Sequence, residues 1–240
     1  MMKALWWSVL VVLAAGATGR GREESRHTRA DAEGMIRAAE GTLAPVYAPL
    51  AEEIVGKLTL ENREGIGIDL GSGPGTLIVE LCKRTKLHWI NADINPHFFP
   101  YFFSKAEAGG YSGRVSAICA DAGALPFRDG FADVVVSRGS FHFWPDLQKG
   151  LAEVRRVLKP GGVAYIGRGF PQRLPLETAK QTRSKQGKAM KYDPAETEQQ
   201  LRTIMQALGI KDYRVDRPRA DNEEGVNYGV WLQFRKAKIQ

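Results

Sequence analysis

A cluster of glycines directly after an acidic residue is the part of the sequence best suited to bind a ligand. A short apolar run begins at residue 66 and continues as Asp69-Leu70-Gly71-Ser72-Gly73-Pro74-Gly75. Glycine permits positive φ angles and lets a bound molecule approach the bare backbone. Apolar residues at helical spacing follow, so the loop would also present the positively polarised start of a helix. The pattern predicts a strand, a tight loop and a helix around a small molecule with acceptor or anionic groups. A tight turn without a ligand is the alternative.

A second acid follows the next predicted strand. Residues 87–92 form this strand, Asp93 comes 18 residues after the last loop glycine, and Asn95 with Pro96 begins a helix. A carboxylate at such a strand end can accept hydrogen bonds from both hydroxyls of a ribose, as in dinucleotide-binding folds. Ile94 beside it would then pack against the base. The alternative for Asp93 is an ordinary helix cap or a surface acid.

The spacing of the loop glycines separates two families of nucleotide-binding folds. It is G-x-G-x-G, and Thr76 stands where the dinucleotide fingerprint carries its third glycine. With Asp69 two residues before the first glycine, the loop resembles the first motif of class I S-adenosylmethionine (SAM) dependent methyltransferases. The sequence Lys159-Pro160-Gly161-Gly162, between a predicted helix and a strand, is similar to the same family. The resemblance covers residues 48–234 and is greatest to the small-molecule, type 11-like branch.

The resemblance implies SAM as the cofactor and assigns its contacts to the glycine loop and to the ends of four strands. The residues implied are Asp69, Gly71, Ser72, Gly73, Gly75, Asp93, Ile94, Asp121, Ala122 and Ser137. Asp121 follows the predicted third strand, and in the family an acid here accepts a hydrogen bond from the adenine amino group. The N–H of Ala122 would donate to a ring nitrogen. A turn cap is the alternative for Asp121.

The loop after the fourth predicted strand is the expected wall of the reaction site. The strand 131–137 is almost entirely apolar, as in the middle of a parallel sheet, and ligands of open α/β sheets lie beyond the carboxyl ends of the strands. His142 is the candidate catalytic residue, as a base or as a group that orients the acceptor. A structural histidine is the alternative. The neighbouring aromatic side chains predict an apolar pocket or a cation–π contact with a sulfonium; they are Phe141, Phe143 and Trp144.

The reaction that the resemblance implies is in-line transfer of the SAM methyl group to a small-molecule acceptor. Ser137-Arg138-Gly139-Ser140 follows the fourth strand where amino-group methyltransferases of nucleobases or glutamine carry an Asn-Pro-Pro-Tyr-type tetrad. Alignment and exclusion of water are then the main tasks of the protein. Two alternatives are a SAM-binding or nucleotide-binding protein without transfer activity and, less favoured by the glycine spacing, an NAD(P)-dependent oxidoreductase.

A basic insert at residues 171–192 follows the fifth predicted strand, and we interpret it as an irregular segment. In the resembled family this region commonly covers the acceptor. The insert would therefore suit an anionic acceptor or an anionic lipid surface, and a solvated loop is the alternative. It lacks interleaved aromatic residues, which argues against a nucleic-acid groove. Its six basic residues are Arg173, Lys180, Arg183, Lys185, Lys188 and Lys191.

The first 19 residues differ in composition from the rest. Residues 4–15 form an apolar run after Lys3, and Ala15-Gly16-Ala17 has the form of a cleavage site. This pattern predicts a secretory signal peptide. The arginines from residue 20 onward instead favour a membrane anchor with a cytoplasm-facing domain. We divide the chain into a signal or anchor at 1–19, a linker and helical extension at 20–47, and a methyltransferase domain at 48–240.

The elements that position these residues indicate a single α/β domain. Five predicted strands alternate with helices and precede a final strand pair, in a chain of 240 residues with a net charge of +7. We expect a Rossmann-like, doubly wound, seven-stranded and mostly parallel sheet with an antiparallel terminal strand. Cys82 and Cys119 lack metal-site spacing and are interpreted as packed thiols, so no metal is expected.

Overall fold

A computed structural model describes residues 27–186, 192–222 and 225–238. Seven strands form one sheet in the order β3-β2-β1-β4-β5-β7-β6. Strands β1 to β5 run parallel, and β7 lies antiparallel to both β5 and β6. The strands are β1 (Ile66–Leu70), β2 (His88–Asp93), β3 (Val115–Cys119), β4 (Ala132–Arg138), β5 (Leu158–Gly169), β6 (Tyr213–Asp216) and β7 (Gly229–Arg235). The predicted fold class is confirmed.

Helices cover both faces of this sheet. They are α1 (Arg29–Glu40), α2 (Ala44–Leu58), α3 (Thr76–Cys82), α4 (Phe99–Ala108), α5 (Leu147–Val157), α6 (Leu176–Lys185) and α7 (Pro194–Ala207). One apolar core cluster lies on the sheet face that α5 and α7 cover, and a second lies under α2, α3 and α4. The aromatic stretch near residue 100 contributes buried side chains, with Phe102 fully enclosed. Since both faces are covered, the central strands are apolar throughout.

Three details of the sequence interpretation are wrong. Residues 31–58 show a helical pattern that Pro45 and Pro49 are expected to break, but Pro49 lies inside α2, because a proline near the helix start removes one hydrogen bond while the apolar face of the helix stays buried. The segment 171–192 is not wholly irregular, since it contains α6. Strand β5 begins at Leu158, so the Lys-Pro-Gly-Gly sequence lies inside it. A positive φ at Gly161 and a register shift against β4 accommodate this sequence there.

The predicted signal peptide or anchor at 1–19 lies outside the described residues. Within the described ranges, no helix has the length and apolar character needed to cross a membrane. The helical extension before residue 48 contributes directly to the fold. Helix α1 begins with a capping box formed by Thr28 and Asp31, and α2 packs in the core beside α3.

Candidate cofactor site

The glycine loop between β1 and α3 is compact because three of its residues adopt positive φ angles. These angles are 67° at Gly71, 56° at Gly73 and 72° at Gly75. A Cβ atom at Gly71 would overlap Ser140, and one at Gly75 would overlap the ring of Phe102. The outer two glycines are therefore required by protein packing as well as by backbone conformation. The middle glycine has ordinary contacts only and is the most open of the three.

Asp93 lies directly behind this loop, at the end of β2. Its side chain is buried, one oxygen accepts from the Gly73 N–H at 2.7 Å and the other from the Asn95 N–H at 2.8 Å. Burial raises the pKa of this carboxyl, and the two backbone donors oppose the rise. Each carboxylate oxygen can accept more than one hydrogen bond, so both can also accept a ligand hydroxyl.

Asp121 lies at the neighbouring strand end. The Ala120 N–H donates to the Asp93 backbone carbonyl at 3.0 Å, so the chain leaves β3 beside the end of β2. The Asp121 carboxylate is exposed, and one oxygen accepts from the Gly123 N–H at 2.8 Å. The turn cap that the sequence left open is thus present, and the other oxygen remains for a ligand. Ala122 is buried beside it.

Asp69 is the most unusual group of the site. It is 2% exposed, and one oxygen accepts from the Ser72 hydroxyl at 2.6 Å. Burial, with a smaller contribution from the charge of Asp93, raises its pKa to about 7 against the opposing effect of that hydrogen bond. The other Asp69 oxygen and the side-chain oxygen of Asn91 are buried without a hydrogen-bond partner in the described part of the chain. Two such acceptors at one loop fit a ligand that carries hydrogen-bond donors, such as an ammonium group.

The comparisons with known proteins agree with this geometry. Residues 68–166 match the family model of the methyltransferase domain. The fold matches a protein from Methanococcus maripaludis assigned as an S-adenosyl-L-methionine-dependent methyltransferase, with a TM-score of 0.74, 24% identity, and 94% and 99% of the two chains covered. The chain therefore has a methyltransferase-like fold, and its residues 68–166 match the methyltransferase domain.

Relatives identified by sequence match shorter stretches of the chain. A 2-methyl-6-phytyl-1,4-hydroquinone methyltransferase of Spinacia oleracea is 37% identical over 114 residues, which is 47% of this chain and 32% of the relative. A demethylmenaquinone methyltransferase of Thermus thermophilus is 39% identical over 106 residues, or 44% of this chain and 47% of the relative. The matches thus span about a third to half of these relatives' own length.

Two other residues that the sequence predicts to contact the cofactor, Ser137 and Ile94, differ in burial. The Ser137 hydroxyl is buried and donates to the Leu70 carbonyl at 2.7 Å, so it ties β4 to the start of the glycine loop. Ile94 is 38% exposed and is therefore accessible to a ligand. The cofactor roles of all ten residues stay predictions, and the structure gathers the acids and glycines at one edge of the sheet.

Helix α1 adds residues to the site that sequence reasoning missed. Met35 is 43% exposed and lies about 3.8 Å from the position of a Cβ atom at Gly73. The Asn95 side-chain amide donates to the Thr28 carbonyl at 3.1 Å, which holds the start of α1 beside Asp93. The only available signal was an apolar residue on the exposed side of a polar helix, and such residues are common.

The loop beyond β4 is where the sequence predicts the acceptor. His142 is largely exposed, and its ring centroid lies 3.9 Å from that of Phe143. Partial burial and the charges of Arg168 and Arg138 lower the pKa of His142 to about 4. The imidazole is therefore neutral at physiological pH. Tyr47 of α2 is buried and lies under the guanidinium of Arg138, at 5.6 Å from its ring centroid.

Proposed function

We propose that this chain binds SAM and transfers its methyl group to a small-molecule acceptor by in-line displacement. The observation that carries the proposal is the grouping, at one sheet edge, of the positive-φ glycine loop with Asp93 and with the unpartnered oxygen of Asp69. Bound SAM would supply an electrophilic methyl on a sulfonium, and S-adenosylhomocysteine would leave with the bonding electron pair.

The residues of this chain would act mainly by binding and alignment. Asp93 would hold ribose hydroxyls, and the Asp69 carboxylate would pair with the ammonium of the amino-acid portion. Asp121 and the Ala122 N–H would contact the adenine. Alignment of this kind contributes to rate without a dedicated base, because a bound near-attack geometry lowers the entropic part of the barrier.

We propose that His142 orients the acceptor through a hydrogen bond. With a pKa of about 4, the neutral ring of His142 is a weak base. Transfer of a proton to it from an ordinary hydroxyl would therefore be unfavourable. The neutral ring still offers one donor and one acceptor nitrogen. The named relatives act on hydroquinone and menaquinone precursors, so phenolic and quinol molecules are the first acceptors to test.

The test of cofactor binding is calorimetric titration of the full chain with S-adenosylhomocysteine, SAM and NAD. We expect the first two to bind, and Asp93→Asn to weaken binding roughly tenfold or more through loss of charge-assisted hydrogen bonds. Asp221→Asn, an exposed acid remote from the glycine loop in sequence, is the matched control. Binding of NAD alone would refute the proposal.

Transfer itself is tested with isotopically labelled methyl SAM against a panel of phenols, quinols and small acids. Label in an extracted product, lost in Asp93→Asn and kept in Asp221→Asn, is the expected result. Tight cofactor binding with no transfer to any member would favour a binding protein without transferase activity.

We also propose that residues 1–19 direct the chain to a membrane, as a cleaved signal or as an anchor that leaves the domain facing the cytoplasm. Fractionation of cells that express the full chain, with sequencing of the mature amino terminus, tests this. A soluble cytoplasmic protein with an intact first segment would contradict both forms of the proposal.

A further inference from the structure

Three arginines, two at the carboxyl ends of β4 and β5 and one on helix α6, lie near one another, and we call them the arginine cluster. Each guanidinium lies over an aromatic ring. The pairs are Arg138 with Tyr47 at 5.6 Å, Arg168 with Tyr192 at 4.2 Å and Arg183 with Phe170 at 4.6 Å, each measured to the ring centroid. Stacking of this kind fixes the plane of a guanidinium and leaves N–H groups at its edge for an acceptor.

The three arginines come from neighbouring positions, because Arg138 pairs with Gly167 of β5, next to Arg168, and Arg183 stacks on Phe170 directly after β5. Burial, and then the charges of Arg138 and Arg168, lower the pKa of Arg183, and burial lowers the pKa of Arg168. Across residues 27–186, 192–222 and 225–238, no carboxylate forms an ion pair with any member of the cluster. Partly buried like charges without counter-ions are unfavourable, so this arrangement is suited to an added anion.

Two buried polar atoms beside the cluster also lack partners. The Nε of Arg138 and the hydroxyl of Tyr192 are enclosed and form no hydrogen bond within the described residues. The Asn227 side chain lies near that hydroxyl without hydrogen-bond geometry. Buried donors are normally satisfied, so both atoms indicate a missing acceptor.

The cluster is adjacent to the glycine loop. The Ser137 hydroxyl donates to the Leu70 carbonyl at 2.7 Å, and a Cβ atom at Gly71 would overlap Ser140, so the end of β4 that carries Arg138 lies beside the loop. His142 also lies near the cluster, since the charges of Arg168 and Arg138 add to burial in lowering its pKa. A molecule held by the cluster would therefore lie against the acceptor side of the site.

We propose that the arginine cluster binds an oxyanion, a carboxylate or a phosphate, carried by the methyl acceptor. This inference rests on the proposed function and narrows its substrate class to anionic small molecules. Two other basic residues of the insert, Arg173 and Lys185, are exposed and face water, whereas Arg183 is half-buried. Lys180 is half-buried too, but it lies 3.8 Å from the carboxylate of Glu177. A partly buried cluster fits a small anion better than a flat lipid surface.

The test measures binding of sodium pyrophosphate and sodium benzoate by calorimetry at constant ionic strength, with S-adenosylhomocysteine present. We expect at least one probe to bind, and Arg168→Gln and Arg183→Gln each to weaken it roughly tenfold or more. Arg173→Gln, from the same insert, is the control and should bind as the original protein does. Preference between the two probes identifies the oxyanion as phosphate or carboxylate.

Three outcomes would overturn the inference: neither probe binds, all three variants lose affinity equally, or phosphatidylglycerol vesicles bind in a manner that depends on Arg173 as much as on Arg183. Arg168→Lys keeps the charge without the planar fork and should retain part of the affinity, which covers a failure of Arg168→Gln to fold. S-adenosylhomocysteine binding is measured in every sample. If the original protein does not bind S-adenosylhomocysteine, the proposed function is refuted. If it binds S-adenosylhomocysteine but neither probe, only this inference is refuted.

Discussion

Replacement of Asp69 by asparagine should stabilise the unliganded protein at neutral pH and weaken cofactor binding. The carboxyl group is 2% exposed, and its pKa is raised to about 7. The folded protein therefore holds this proton up to about pH 7, whereas the unfolded chain releases it near its ordinary value of 3.8. Because the folded state binds more protons across that window, the free energy of unfolding falls as pH rises through it.

The size of the effect follows from that shift. A change from 3.8 to about 7 corresponds to about 4 kcal/mol at about 1.36 kcal/mol per pH unit. The group is almost fully buried, so solvent screens little of it. The substituted asparagine would be neutral at every pH, and its side-chain oxygen can still accept from Ser72. We expect Asp69→Asn to equal the original protein near pH 4 and to exceed it by up to about 4 kcal/mol at pH 8.

Urea unfolding at a series of pH values between 4 and 8 measures this difference. Asp221→Asn is the control and should show no pH-dependent change relative to the original protein. Saturating S-adenosylhomocysteine should reduce the gap at pH 8, because its ammonium would compensate the Asp69 charge. Parallel stability profiles for the original protein and Asp69→Asn would refute both the perturbed carboxyl and the role assigned to it.

Three further substitutions test the packing and the acceptor side. Gly75→Ala should destabilise the fold by about 2 kcal/mol or more in urea unfolding, because it adds both backbone strain and overlap with the Phe102 ring. Gly110→Ala, also at positive φ but with open space around it, is the control and should be destabilised by backbone strain alone. The pH profile of methyl transfer should show no His142 inflection between pH 5 and 8, since that pKa is about 4; an inflection near 6.5 that His142→Asn removes would contradict this. Glu53→Gln should lower stability by about 1–3 kcal/mol, because both buried carboxylate oxygens accept hydrogen bonds, one from the Tyr165 hydroxyl and one from the Gln172 N–H, each at 2.6 Å, and an amide oxygen can replace only one of them; unchanged urea unfolding would contradict that expectation.

Much of the fold was predictable because its signals are local. The apolar run of β4 indicated a strand buried on both faces, and Val134 to Val136 are fully enclosed. An aspartate directly before a proline favours a helix start, and the side chain of Asp193 does accept from the Ala195 N–H at 2.7 Å. The insertion of β7 between β5 and β6 was not readable from spacing, since strand order depends on pairing between distant segments.

The same distinction applies to the site. The glycine loop and Asp93 follow one another at short, fixed intervals, so a pattern could identify them. The contribution of Met35 and the arginine cluster could not be identified in this way, because their members come from separate elements that only the tertiary fold brings together. Arg183 was one of six basic residues in the insert, and burial alone distinguishes it from Arg173.

The charge distribution of the site favours two ligands bound side by side. One oxygen of the buried Asp69 carboxylate lacks a donor, and Arg138, stacked on Tyr47, belongs to a cluster of cations without a carboxylate partner among the described residues. The protein does not neutralise either group through its described side chains. An ammonium-bearing cofactor would pair with Asp69, and an oxyanion-bearing acceptor would pair with the arginine cluster. If the two ligands exchanged places, each charged group would face a group of the same sign. If both proposals hold, the separation of charges would discriminate between the two ligands as well as bind them.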